Sequence, residues 1–365
     1  MDILIVGAGL SGAVLAERFA SQNKKVLVID KRDHIGGNCY DYIDEETNIR
    51  ISKYGAHIFH TNDDGVWEYI NKFSEWIRYD LCVVSNVNDR IVPVPVNMNT
   101  INTLYNETLQ TEEHTKQWLE KQQVPCQNPI NSEEVALARV GPKLYETLFK
   151  PYTQKQWNCD PKELAPSVLS RIPVRYNTDP RYFSDKYQVL PKNGYTAFFQ
   201  KLLDHPNITV KLNTEFDESF KYNKLIFTGP IDQYFKNSGL PKLKYRSLRF
   251  ETKRYKNVGY IQQHFVINTP SLNFETTRTI EYKHLPYQKS DDSVVIHEFP
   301  SDQGEPYYPI PSPETEKVYE MYQDLAKMEE PNVYFVGRLA NYKYFNMDQA
   351  IRNSLDFFEK FKFID

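Results

Sequence analysis

Two rhythms of apolar and polar positions divide this chain. The opening stretch DILIVGAGLSGAVLAERFASQNKKVLVIDKRDHIGGN begins with the apolar run Ile3–Val6. That run is too short for a helix and unbroken by polar residues, which predicts a strand buried on both faces. Ala13, Leu15, Ala16 and Phe19 then recur at helical spacing, and Lys25 to Ile29 form a second buried run ending at Asp30. Similar short runs return in KLIFTGPIDQYF (224–235), where the strand ends in a Gly-Pro turn, and in NVYFVGRLANYKYFNMDQAIRNSL (332–355), where a helix starts near Met347 or Asp348. The middle of the chain differs. Residues 99–162 are rich in Glu, Gln, Leu and Lys with amphipathic runs such as SEEVALARVGPKLYETLF, preceded by capping residues at 131–134, and they predict helices. Residues 240–300 alternate aromatic, β-branched and charged positions, as in YRSLRFETKRY and SVVIHEFP, and predict antiparallel strands. The expected fold is therefore α/β: a discontinuous Rossmann-like domain (1–75, 190–239 and 312–365), an inserted helical subdomain (97–168) and an antiparallel sheet domain (76–96, 169–189 and 240–311).

The first turn carries chemistry. Gly7, Gly9 and Gly12 spell GxGxxG between strand and helix. Gly7 allows the tight turn, Gly9 lets a pyrophosphate approach the backbone, and Gly12 lets helix and strand pack closely. The helix N-terminus, with Ser11, faces the phosphates, and Asp30 ends the second strand, where a carboxylate accepts from ribose hydroxyls. A tight turn without ligand is the structural alternative, and the strand–glycine–helix–acid context disfavours it. HIGGN (34–38) adds a second glycine-rich turn, with Gly37 and Asn38 just beyond Asp30 and Lys31. That turn favours FAD over NAD, as in flavoproteins of the glutathione-reductase and amine-oxidase type. The second half of such a site is expected from Arg338, Met347 and Asp348, with a helix N-terminus facing the pyrimidine edge of the flavin and favouring negative charge there.

Composition narrows the partners. The chain has 365 residues, too many for one core, and its 44 Lys+Arg against 48 Asp+Glu leave a net charge of −4, which argues against nucleic acid. An anionic ligand then needs a local arginine cluster. Twenty-six tyrosines suit a sugar or nucleotide, although most are expected to serve the core. The four cysteines show no CxxC spacing, so neither a metal site nor a redox pair is expected. No run is apolar over a membrane span and no signal segment is visible, which predicts a cytoplasmic protein.

PYTQKQW (151–157), RIPVR (171–175), YFSDKYQ (182–188), TTRTIEYKH (276–284), EPYYPI (305–310), YGAHIFHTN (54–62), TGPIDQYF (228–235) and GRLA with YKY (337–344) keep an order that resembles the UDP-galactopyranose mutase family over nearly the whole chain. The resemblance implies that Arg171 and Arg278 clamp a diphosphate, work suited to permanently charged, bidentate guanidinium groups. It implies that Tyr182, Tyr308 and Tyr344 contact phosphate. Tyr152, Thr153 and Trp157 match the nucleotide- and sugar-contacting cluster, and Phe149, Tyr152 and Phe183 would line the base pocket. His57, His60, Ile58 and Asn268 match positions around flavin and sugar, with a structural or flavin-tuning role favoured over proton transfer for both histidines. The loop carrying Arg171 is expected to close over substrate.

The implied activity interconverts a nucleotide-linked hexopyranose and hexofuranose through a reduced-flavin N5–sugar covalent adduct, with no net redox change. It also implies FAD that is active when reduced, an NAD(P)H or flavin reductant, a homodimer, and a product feeding a furanose-containing surface polysaccharide. Two positions depart from the family pattern: Asn346 stands where an Asp is usual, and Leu81 where an Asn often reaches the sugar. Either the sugar pocket is altered, toward UDP-N-acetylgalactosamine or a dTDP-6-deoxy sugar such as dTDP-fucopyranose, or the changes are neutral. Two other classes compete: an amine-oxidase-type flavin oxidoreductase, which predicts an apolar tunnel, and a catalytically silent nucleotide-sugar binder.

Overall fold

The computed structural model describes residues 1–361. The last four residues assigned to the Rossmann-like domain, 362–365, lie outside that range. At the base is a five-stranded parallel sheet in the order 208–211, 26–29, 3–6, 224–227, 333–335. Ile3–Val6 lies at its centre with Leu4 and Ile5 fully buried, which explains the unbroken apolar run. The second strand begins at Val26, one residue later than the apolar run suggested, because Lys25 spends its backbone on the side chain of Asp2 and the chain end. Helix Leu10–Ala20 buries Ala13, Val14, Leu15 and Ala16 completely. It packs against the C-terminal helix Met347–Phe361, with Phe19 edge-on to Phe358 and Phe361 at 5.2 and 5.0 Å. That contact joins the two distant ends of the sequence into one layer.

Above it stands a seven-stranded sheet in the order 308–309, 245–255, 293–301, 278–281, 266–268, 83–87, 90–93. The expected antiparallel sheet holds with one exception: Val266–Asn268 runs parallel to Val83–Val87. The whole helical insertion separates those strands, so no tight turn dictates their direction. Phe59–Thr61 and Trp76–Arg78 both pair with Tyr187–Pro191 in a small sheet beside the base.

The insertion has its own core, in which Val96, Ile101, Leu119, Leu144 and Tyr145 are fully buried. Helix Ser132–Leu144 starts at Asn131, whose side chain accepts from Glu134 N–H. It breaks at Gly141, φ 75°, where an added Cβ would lie 2.1 Å from the carbonyl oxygen of Gln122. A wide turn, Tyr145–Phe149, follows and re-aims the chain into helix Lys150–Trp157, the stretch PYTQKQW. Among the described residues no helix is long and apolar enough to cross a membrane.

Candidate active site

The glycine turns form the floor of a cavity of about 600 Å³ between the parallel sheet and the C-terminal helix. Gly7, Gly9, Ser11, Asp30, Lys31, Gly37, Asn38, His57, Arg338 and Met347, all expected cofactor contacts, line it. Gly12 lies behind the floor, where an added Cβ would strike the Gly7 carbonyl at 1.9 Å. A Cβ on Gly37 would come within 2.9 Å of the Gly9 Cα, so the two turns meet backbone to backbone. The result is a smooth cradle of N–H groups at a helix N-terminus, which fits a pyrophosphate. Asp30 accepts from Ala8 N–H at 2.8 Å and Arg32 N–H at 2.9 Å. Those bonds fix the carboxylate and leave lone pairs for a ribose.

Ile58 is buried in the main core, and Asp348 sits one residue into the C-terminal helix, accepting from the Thr61 hydroxyl at 3.0 Å. Burial raises Asp348, whose second oxygen has no partner, toward its neutral form. Sequence reasoning missed Arg32, Thr228 and Gly229, which also line the cavity. The turn TGP was visible as a strand end, but only the fold brings it over Gly7, where the Thr228 hydroxyl donates to Val6 O at 2.8 Å.

Beside the cavity the cationic cluster assembles around one phenol. Arg171 lies over the Tyr344 ring at 4.5 Å, and Arg338 lies 5.4 Å from the same ring and 5.7 Å from that of Tyr308. Tyr308 and Tyr344 are 5.3 Å apart, and Trp157 sits edge-on to Tyr344 at 5.8 Å. Burial would raise Tyr344, but Arg171 and then Arg338 outweigh it and hold the phenol below its ordinary value. Burial raises Tyr308 and Tyr152. Arg338 also donates to Phe345 O from Nε at 3.0 Å and from its Nη2, which clamps the loop carrying Tyr344.

Arg278 is held by Glu298, 1% exposed, through Nε and Nη2 at 2.9 Å each. This buried partner was also missed, since its link to Arg278 is a cross-strand register. Asn268 faces Arg278 across the next pairing and keeps a buried Oδ1 without a partner. Such a buried acceptor is open to a donor that the described residues do not supply.

The imidazole of His57 reaches Gly55 O at 2.9 Å through Nδ1, which places the proton there. Burial pushes His57 down to about 4, and Arg338 and Arg278 add to it. His60 contacts Asp185 at 3.0 Å and stacks on Phe183 at 3.6 Å. Phe183 meets Tyr182 edge-on, and Tyr182 N–H donates to Leu81 O at 2.7 Å. Leu81 itself is 7% exposed in the main core. Thr153 is buried, and Phe149 packs into the core of the insertion while Phe183 packs on the main one. Asn346 opens the C-terminal helix, its backbone carbonyl accepting from Ala350 N–H at 3.0 Å, and lines the same cavity. The Arg171 loop is tied down in this structure, with Arg175 N–H on Val96 O at 2.8 Å and Met98 N–H on Asn177 O at 3.0 Å.

A family model described as UDP-galactopyranose mutase matches residues 147–344, over half of the chain. The chain belongs to the UDP-galactopyranose mutase family. A second model, a NAD(P)-binding Rossmann-like domain, matches residues 5–73. A Klebsiella pneumoniae protein named "Probable UDP-galactopyranose mutase" is 39% identical over 99% of this chain and 94% of its own. The dTDP-fucopyranose mutase of Escherichia coli is 38% identical over 97% and 96%. The crystal structure of a reduced UDP-galactopyranose mutase superposes with a TM-score of 0.79 over 100% of this chain and 96% of its own, at 16% identity. A putrescine oxidase superposes at 0.62 over 98% of each chain, at 11% identity. Those two likenesses show the fold: an α/β Rossmann-like domain with an inserted sheet and helices. On this mutase-family fold the arginine–tyrosine cluster belongs to residues 147–344, and the glycine cradle to residues 5–73.

Proposed function

We propose that this chain is a flavin-dependent isomerase that interconverts a nucleotide-linked hexopyranose and its hexofuranose. The observation carrying this reading is the convergence of Arg171, Arg338 and two tyrosines beside a glycine-floored cavity of about 600 Å³. Reduced flavin, when bound, supplies the nucleophile toward the anomeric carbon, and the reaction consumes no reductant overall.

The protein's own residues supply the rest. Arg171 and Arg278 hold the diphosphate and stabilise its charge as the bond to the sugar breaks, and Glu298 fixes the Arg278 fork in place. Tyr182, Tyr308 and Tyr344 donate to phosphate oxygens, and the field of the guanidinium groups makes Tyr344 the stronger donor. His57 lines the cavity and is kept neutral by burial, which suits positioning and not acid catalysis. Trp157 and Tyr152 wall the cleft and exclude water.

UDP-galactose and dTDP-fucose are the first candidates, because the relatives' names give those two sugars, and UDP-N-acetylgalactosamine is the third. Asn346 supports the cofactor side of the site and Leu81 the ground beneath Tyr182, so neither needs to reach the sugar for the fold to form. An NAD(P)H or flavin reductant, a cytoplasmic homodimer, a role supplying furanose for surface polysaccharide, and the three-part domain division complete the proposal and rest on the resemblance.

Purified protein, with and without dithionite, is offered the three sugars, and pyranose is separated from furanose by chromatography. Isomerisation only after reduction, without net use of reductant, is expected. Steady oxidation of an amine with no isomerisation would refute the reading and favour the oxidoreductase class. Nucleotide binding without turnover in the reduced protein would leave only a binder.

A further inference from the structure

The lysine in the middle of PYTQKQW has a site of its own. Lys155 projects from helix Lys150–Trp157 into the loop that joins strands Val266–Asn268 and Arg278–Glu281. Its Nζ donates to four backbone carbonyls of that loop: Thr269 and Ser271 at 2.7 Å, Phe274 at 2.9 Å and Thr276 at 3.0 Å. An ammonium has three protons, so four converging carbonyls exceed its hydrogen bonds and use its charge. This is the donor set of a cation site, filled here by a side chain. Burial pushes Lys155 down to about 8. The ammonium is still the main form at neutral pH.

The geometry of both partners matters. The loop is bounded by Asn268 and Arg278, and Thr277 N–H inside it donates to the backbone carbonyl of Glu298 at 2.9 Å, tying it to the residue whose side chain holds Arg278. The helix carries Tyr152, Thr153 and Trp157, and its carbonyls at Lys155 and Gln156 accept from Arg246. Arg246 in turn meets Asp302, which also accepts from Asn158 at 2.6 Å. The helix belongs to the insertion with its separate core, and the loop belongs to the sheet.

We propose that Lys155 is a positioning residue that locks the aromatic wall of the cleft to the strand pair carrying Asn268 and Arg278. Without its charge the loop loses its organising cation, and the distance between arginine clamp and aromatic wall is no longer fixed. The consequence for ligand rests on the nucleotide-sugar reading above; the lock itself does not.

The test uses the FAD-loaded protein as wild type, Lys155→Met, which keeps length and loses charge, and Lys155→Arg, which keeps charge. Amide hydrogen exchange of residues 269–277 is followed alongside UDP and dTDP binding by titration calorimetry. Exchange in the loop is expected to rise at least about tenfold in Lys155→Met, with nucleotide affinity falling about tenfold and flavin content unchanged. Lys155→Arg is expected to lie between the two. Unchanged loop exchange in Lys155→Met would overturn the lock, as would equal effects of Met and Arg, which would assign the role to packing. Loosened exchange with nucleotide affinity intact would overturn the positioning role. Failure of wild type to bind either nucleotide would refute the functional reading and the positioning role with it, while the exchange data would still decide the lock.

Discussion

Replacing His57 with asparagine removes an imidazole that lines the cavity while keeping an amide N–H able to reach Gly55 O. The folded ring sits at about 4 against an ordinary 6.5, with burial as the main cause. Between these values the unfolded chain binds a proton that the folded chain refuses. The wild type therefore loses stability as pH falls from 6.5 toward 4, and loses nothing from this source above that window. At about 1.4 kcal/mol per pH unit the whole effect is capped at about 3 kcal/mol, and at pH 5 at about 2 kcal/mol. Because the imidazole also meets the cavity, about 1 kcal/mol at pH 5 is the working figure. For a chain this long that is roughly 1–3 °C in Tm. Melting curves of both proteins at pH 7.5 and pH 5 should show wild type losing that much more than His57→Asn on acidification. Parallel losses would mean that His57 takes up its proton as readily folded as unfolded, and the argument against its acting as an acid would fail. The imidazole proton resonance gives a second reading, since a neutral ring should not titrate between pH 6 and 8.

Other outcomes follow from the same geometry. Tyr344→Phe should remove the tyrosine that ionises at lower pH than its ordinary value, seen as loss of the earliest phase in an ultraviolet alkaline titration of the wild type. Arg278→Lys keeps charge but not the planar fork that Glu298 holds at two nitrogens, so nucleotide affinity should fall about tenfold or more, measured by calorimetry. Gly37→Ala puts a Cβ 2.9 Å from Gly9 Cα at φ +54° and should yield protein with much less bound flavin per chain, read from its visible absorbance.

Local patterns were enough for the Rossmann-like start. Buried runs, glycine spacing and a terminal acid are all short-range, and the glycines they single out, Gly7, Gly9 and Gly37, line the cavity. Arg171, Arg278, Tyr308 and Tyr344 were legible only because ordered motifs resembled a family; no spacing between them says that they meet. Three arrangements were left to the tertiary structure. Pairing Arg278 with Glu298 depends on strand register, since a slip of one residue would turn Glu298 to the other face. The parallel pairing of Val266–Asn268 with Val83–Val87 depends on how a long insertion is accommodated, which no turn encodes. The four carbonyls around Lys155 are invisible in sequence because every residue has a carbonyl, and only the folded loop decides which ones converge. Sequence determines what local geometry and side-chain chemistry can fix; contacts made by backbone atoms across distant segments exist only once the chain has closed.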